Sequence, residues 1–316
     1  MGKKVLLFGD VGIDDTVALL YGYFNEQIDI VGVVADYGNI SREKTLRNIH
    51  YLIRLFNIPD VKVFLGAEKP LTGEEPNFVP EVHGVHGLGP IDPTNMPEFE
   101  SSFVENFHEI VNLIDQYKGE LTIVNVGRLT SLATLFILYS ELMKQVEKFY
   151  IMGGAFWVPG NVTAVSEANF HGDPIAANIV LRYAKNVTII PLNVTNRAIV
   201  TPEMVEYIHA KGKAQILKPL LDYYYQFYKK RNPAIEGSPV HDAITLMATI
   251  HDDWFTFKML PVHIVTSEGI SRGQTIGDIR PWMNFDENEK KHRIAFDFNY
   301  NQFFTDFMTI MTGEQF

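Results

Sequence analysis

Short β-branched and apolar runs recur along this chain at residues 5–8, 30–35, 61–66, 121–126, 148–152, 187–194 and 261–266. Between them, apolar residues fall at helical spacing over about 14–24, 42–56, 101–116, 130–145, 173–185 and 201–230, with later stretches at 240–251 and 300–313. Strands that alternate with helices are joined by crossovers rather than hairpins, so they run parallel and the helices cover the sheet. The pattern predicts one α/β domain over residues 1–316, with a single open, mostly parallel sheet and helices on both faces.

Composition narrows what such a domain does. No apolar run approaches the roughly 18 to 20 residues of a membrane-spanning helix. With 27 basic and 38 acidic residues, the net charge of −11 disfavours nucleic-acid backbones and anionic membranes. The chain has no cysteine, which removes disulfides, thiolate nucleophiles and Cys-ligated zinc together. The opening MGKKVLLFGD holds four apolar residues before Gly9, too few for a signal-peptide core, so the cytoplasm is the default location. The Pro/Gly-rich stretch from Ala67 to Pro97 reads as a functional loop, not a domain boundary.

Unusual polar residues cluster at the predicted strand ends. Asp10, Asp14 and Asp15 follow the first strand, Asn39 the second, Asn125 lies at the fourth, and Gly153-Gly154 follow the fifth. In an open α/β sheet those carboxyl ends share one edge, where ligands bind. Helix capping explains one or two of the three aspartates. Three anions crowded where a strand hands over to a helix call for a cation, and hard oxygen ligands suit Ca²⁺ or Mg²⁺ rather than zinc. Neither a Gly-x-Gly-x-x-Gly run nor a phosphate-binding Gly-Lys-Ser/Thr is present.

Distant segments add to this edge. In GSPVHDAITLMATI, Pro239 opens a helix on which neighbouring side chains point about 100° apart, so Asp242 reaches a metal while His241 faces a substrate beside it. Taken alone, the pair also reads as a capping Asp beside a surface His. His83 and His86 lie in a glycine-rich loop whose metal spacing is weak and which reads better as a lid carrying a substrate-contacting His. Asn161, Glu167 and Asn169, in MGGAFWVPGNVTAVSEANFHGDPIAA, supply the mixed donors and acceptors that sugar hydroxyls need. The run Tyr223-Tyr224-Tyr225-Gln226-Phe227-Tyr228 is mostly packing, with one or two rings left to stack on a planar base.

FGDVGIDDTVALL resembles the D-x-D-x-x-x-D-D signature of the inosine-uridine preferring nucleoside hydrolases, and YGNISREKTLRN, HGVHGLG, NVGRLTSLA, the Asn161–Asn169 segment, LNVTNRAIVTPE and GSPVHDAITL follow in that family's order. The resemblance implies a Rossmann-like core and a homodimer or homotetramer. It implies that Asp10, Asp15, Asp242 and the main-chain carbonyl of Val126 hold Ca²⁺, with Asp10 also taking a proton from the attacking water. Asp14, Asn39, Asn161, Glu167 and Asn169 match positions that bind ribose, His241 the position that protonates the leaving base, and His83 a position near the base. The implied activity is calcium-dependent hydrolysis of a small-molecule ribonucleoside to free base and ribose. A non-catalytic nucleoside or sugar binder on the same scaffold is the alternative, and a Mg²⁺-dependent phosphate-handling enzyme a weaker one. Three features depart from the family pattern: Phe8 stands for its first Asp, Ala168 for an aromatic, and Val126 and Arg128 for Thr and Pro.

Overall fold

The computed structural model describes residues 2–58, 61–95, 106–280, 282 and 289–316. The first half of the chain repeats a strand-then-helix step: β1 (Lys3–Gly9), α1 (Ile13–Phe24), β2 (Ile28–Ala35), α2 (Arg42–Leu55) and β3 (Lys62–Leu65). The long segment after β3 holds the one-turn helix α3 (Pro80–His83) and a 3-10 turn at Pro93–Asn95. The alternation resumes with α4 (Phe107–Gln116), β4 (Thr122–Asn125), α5 (Thr130–Leu138), α6 (Ser140–Met143), β5 (Lys148–Met152), α7 (Ala168–Gly172), α8 (Pro174–Tyr183) and β6 (Val187–Ile190). Beyond β6 come α9 (Leu192–Thr195), β7 (Ile199–Val200), α10 (Pro202–Lys211), α11 (Leu217–Arg231), β8 (Ser238–Pro239) and α12 (His241–Met247). The chain closes with β9 (Phe255–Leu260), β10 (His263–Ile264), β11 (Thr275–Ile276), β12 (His292–Phe298) and α13 (Tyr300–Thr312).

Eight strands form the central sheet in the order β3-β2-β1-β4-β5-β6-β12-β9, parallel throughout except that β9 runs against β12. The order reverses between β1 and β4, and such a switch point opens a crevice at the carboxyl ends of those strands. Alternation along β1 divides the core. Val5 and Leu7 pack with Val17 and Leu20 of α1, Leu246 of α12 and Phe307 of α13, whereas Leu6 and Phe8 pack with Leu113 of α4, Leu132 of α5 and Val180 of α8. Helices therefore cover both faces, as expected. No helix among the described residues is long and apolar enough to cross a membrane.

The later elements differ from the sequence expectation. The strand expected at 261–266 does not join the sheet: its His263–Ile264 pairs with Thr275–Ile276 in a separate two-stranded ribbon. β9 and β12 take the last places instead. Pro261 has no amide hydrogen for a ladder, and β9 ends at Leu260 just before it. The strand predicted over 187–194 stops at Ile190, where Pro191 intervenes. The helix expected at 130–145 breaks at Tyr139, and that at 201–230 breaks after Lys211, where a side chain on Gly212 would meet the Ile208 carbonyl at 2.4 Å. The helix expected at 240–251 is the shorter His241–Met247. Part of the stretch predicted at 101–116, residues 101–105, lies outside the described residues.

Candidate active site

β1 carries Asp10 to the crevice, and the tight Val11-Gly12 turn starts α1, whose first turn presents Asp14 and Asp15. Asp15 accepts the Gly12 amide at 2.9 Å through Oδ2 and the Asp10 amide at 3.2 Å through Oδ1, so one of the three aspartates does cap the helix. α12 packs against α1 and brings Asp242, in its own first turn, to the same place. One carboxylate oxygen each from Asp14, Asp15 and Asp242 lie within 4.8 Å of one another, and all three residues are buried.

Asp10 is fully enclosed. Its Oδ2 accepts the Asn39 amide and faces Arg128 Nη1 at 3.7 Å, while its Oδ1, like Oδ1 of Asp14, is buried without a hydrogen-bond partner among the described residues. Gly38 permits this closeness, since a Cβ there would overlap Asp10 Oδ2 at 1.9 Å. Burial drives all four carboxyls above the ordinary range. Asp14 is pushed up to about 7 by burial and then by Asp10; burial, then repulsion from the neighbouring aspartates, raises Asp15 and Asp242 well above the ordinary carboxylate value. A set of buried oxygen donors that repel one another and leave two oxygens unmet fits a hard divalent cation. The Val126 carbonyl accepts Asn169 Nδ2 at 2.8 Å, and Asn169 in turn meets Arg128 at the rim of the cluster.

The neighbouring residues divide into two kinds. Asn169 is held on every side: Nδ2 also donates to the Met152 carbonyl at 3.1 Å, and Oδ1 accepts from Arg128 Nη1 at 2.6 Å. Glu167 is buried and caps α7, with Oε1 accepting the Asn169 amide and Oε2 the amides of Gly154 and Phe170. Asn39 reaches Asp15 Oδ2 through Nδ2 at 3.5 Å. Asn161 is exposed, and its Oδ1 accepts the Ala168 amide at 3.0 Å, which closes the loop before α7. Of the residues expected to face a sugar, Asp14 and Asn39 touch the acidic cluster and Asn169 reaches its rim through Arg128, whereas Glu167 and Asn161 bond to backbone amides of their own segment and Gly154.

Two histidines border the cluster. His83 Nδ1 accepts the Ile13 amide at 3.1 Å and lies 3.8 Å from Asp14 Oδ1; a Cβ on Gly12 would lie 2.4 Å from that nitrogen. Burial, reinforced by Arg128, lowers its pKa to about 3, so the ring is neutral and carries its proton on Nε2. His241 Nδ1 pairs with the Thr195 hydroxyl at 2.8 Å and Nε2 with the Tyr228 hydroxyl at 3.1 Å, and burial lowers its pKa to about 4. Tyr228 meets the Tyr224 hydroxyl at 3.3 Å, and Tyr224 in turn helps to hold Asp14 ionised.

The aromatic run reads in sequence as packing with one or two rings to stack on a base; Tyr224 and Tyr228 instead line up their hydroxyls behind His241, and Thr195 is not singled out by sequence. The tyrosines' i, i+4 spacing on α11 is the signal that points both rings the same way; Thr195 carries no signal of its own. Elsewhere in the aromatic run, Tyr223 packs on Gly89. His86 lies apart from the cluster, 3.8 Å from Asp92. Phe170 is core, and Trp157 is half exposed and stacked on Phe296.

Comparison with known proteins agrees with this geometry. The profile of the inosine-uridine preferring nucleoside hydrolases matches residues 5–305. Uridine nucleosidase 1 of Arabidopsis thaliana is 32% identical over 294 residues, which cover 90% of this chain and 86% of that protein. The pyrimidine-specific ribonucleoside hydrolase RihA of Escherichia coli O9:H4 (strain HS) is 32% identical over 281 residues, 88% of this chain and 89% of that protein. Among solved structures, a purine-preferring ribonucleoside hydrolase from Gardnerella vaginalis superposes with a TM-score of 0.89 at 28% identity over 98% of each chain. With its crevice built at the β1/β4 switch point and a match from one end of the sheet to the other, the chain belongs to the inosine-uridine preferring nucleoside hydrolase family.

Proposed function

We propose that this enzyme hydrolyses the N-glycosidic bond of a ribonucleoside with the help of Ca²⁺ held by Asp10, Asp15, Asp242 and the Val126 carbonyl. The observation that carries this reading is the meeting of Asp14, Asp15 and Asp242 within 4.8 Å beside the unpartnered Oδ1 of Asp10. A bound Ca²⁺ supplies charge neutralisation and orients water and sugar hydroxyls. Asp14 stands in the same cluster, so it serves ribose and ion site together.

The reaction balances as one water and one nucleoside giving one free base and one ribose. The water oxygen bonds to the anomeric carbon, and the C–N electron pair leaves with the base. Asp10 Oδ1 takes the water proton; burial raises its basicity, and Arg128 and the Asn39 amide restrain that rise. Cleavage builds positive charge on the sugar, and the surrounding carboxylates and amide oxygens favour that state over the neutral substrate. The departing base takes a proton that the Tyr228 hydroxyl supplies through the neutral ring of His241, and the tyrosine is reprotonated from solvent as Asp10 releases the proton it took from water. His83, with Nε2–H free of the Ile13 contact, faces the base.

Assembly as a homodimer or homotetramer belongs to this reading through the family resemblance, and a cytoplasmic address as the default for such a chain. The test is a panel of ribo- and deoxyribonucleosides assayed for reducing sugar, with chelator and after calcium is restored. Chelator-sensitive ribose release is expected. Binding without release would favour the non-catalytic alternative.

A further inference from the structure

Arg128 follows β4 and is only 7% exposed, yet among the described residues its guanidinium makes one hydrogen bond, from Nη1 to Asn169 Oδ1. Its charge is opposed at close range by Asp10, whose Oδ2 is 3.7 Å away. The fold makes room for it: a Cβ on Gly172 would lie 2.4 Å from Nε and 2.6 Å from Cδ. A buried guanidinium ordinarily fills its donors and pairs its charge. Here the protein fills one donor, with Asn169 Oδ1, and the charge sits at the rim of a cluster that already needs a cation.

A second change acts in the same direction. Phe8 is fully buried in the core where the family pattern has a carboxylate. One negative charge is gone from the end of β1 and one positive charge has arrived beside Asp10. Like charges a few ångströms apart in a partly buried site repel strongly, and their interaction is screened far less than in water.

We infer that Arg128 is a built-in counter-cation that competes with the divalent ion for the acidic cluster and weakens its binding. The inference rests on the metal site proposed above. Arg128 stabilises the ion-free cluster by giving Asp10 a partner, and it sets the free-ion concentration at which the site fills. It acts through Asp10 and Asn169 and is a positioning residue, not a catalytic one.

The test is calorimetric titration of chelator-stripped, full-length protein with Ca²⁺ at fixed ionic strength, alongside melting curves with chelator and with Ca²⁺. Arg128→Gln keeps a donor for Asn169 Oδ1 and loses the charge; Arg128→Met is a second neutral variant should Gln fail to fold; Arg128→Lys keeps the charge. A neutral variant is expected to bind Ca²⁺ about tenfold tighter or more than the wild type, to melt lower than the wild type in chelator, and to gain more on calcium addition. Arg128→Lys is expected to stay close to the wild type. A folded neutral variant with unchanged or weaker affinity, or Lys and Gln variants that shift alike, would overturn the inference. Absence of calcium binding in the wild type and in both neutral variants would instead overturn the metal site itself, whereas binding gained only on neutralisation would support Arg128 as the competitor.

Discussion

Asp173 and Asp10 are both buried aspartates at the carboxyl edge of one sheet, and they meet their surroundings in opposite ways. Asp173 caps α8: its Oδ1 accepts the Ala176 amide at 2.9 Å, and its Oδ2 accepts the Leu71 amide at 2.9 Å and the Thr130 hydroxyl at 2.7 Å. Every oxygen is met by a donor that the fold itself supplies. Asp10 and Asp14 each keep one buried oxygen unmet, and their repulsion with Asp15 and Asp242 adds to the cost of burial. Filled carboxylates tie loops to helices, and unfilled ones wait for a ligand. Asp36 lies between the two kinds, with Oδ1 bonded by Ser131 and the Ala67 amide and Oδ2 without a partner among the described residues.

The widest separation of the two kinds comes from Asp10→Asn. It removes the proton acceptor and an anionic donor while relieving repulsion, so turnover is expected to fall about 10³- to 10⁴-fold with no loss of melting temperature. Steady-state ribose release and a thermal melt read the two together, and a variant that unfolds instead would class Asp10 with Asp173. His241→Ala follows, with an expected loss of about 10²- to 10³-fold on purine nucleosides. A riboside with a nitrophenol leaving group, which departs without protonation, should lose much less; equal losses on both would remove His241 from proton delivery.

Asp173→Ala inverts the pattern. Losing several hydrogen bonds to the helix-capping carboxylate is expected to cost about 2–3 kcal/mol, which lowers melting by roughly 3–5 °C in a chain of this size, while turnover per folded molecule changes little. A large kcat loss without destabilisation would erase the distinction. The smallest effect concerns Asp36, whose pKa burial raises from 3.8 to about 8. The folded form holds that proton more tightly than the unfolded chain, so its contribution to stability is full below the unfolded value and is lost as pH rises through about 8. Asp36→Asn, which cannot titrate, should flatten the fall of melting temperature across that window. An unchanged slope would show that Asp36 is not the group responsible.

Legibility in the sequence followed the same division. The strand-helix steps from β1 to β6 could be read because each is a short apolar run with its own helix. β12 pairs parallel with β6 and antiparallel with β9, a choice made by contacts far apart in the chain. HRIAFDF and FTFKML carry charged residues within them, which blurs their alternation, whereas the apolar run PVHIV looked more like a sheet strand than it is. In the site, the aspartates around α1 announced themselves by crowding. Asp242 reads as a distant metal ligand from its place in a helix-opening segment and then from family resemblance, but no local pattern says that α12 packs on α1. The Tyr224–Tyr228–His241–Thr195 chain depends on side-chain directions from three helices, which residue types alone do not reveal. Arg128 was visible as a departure, but its contact with Asp10 and the space left by Gly172 belong to the folded chain.

The central claim is that the unmet carboxylate oxygens exist to hold one divalent ion. A crystal structure of the protein saturated with Ca²⁺ tests it most directly. The account predicts a single ion with oxygens of Asp10, Asp15 and Asp242 and the Val126 carbonyl at about 2.3–2.6 Å. An active, calcium-saturated crystal with no ion among those residues, or with Asp242 turned away from Asp15, would contradict it.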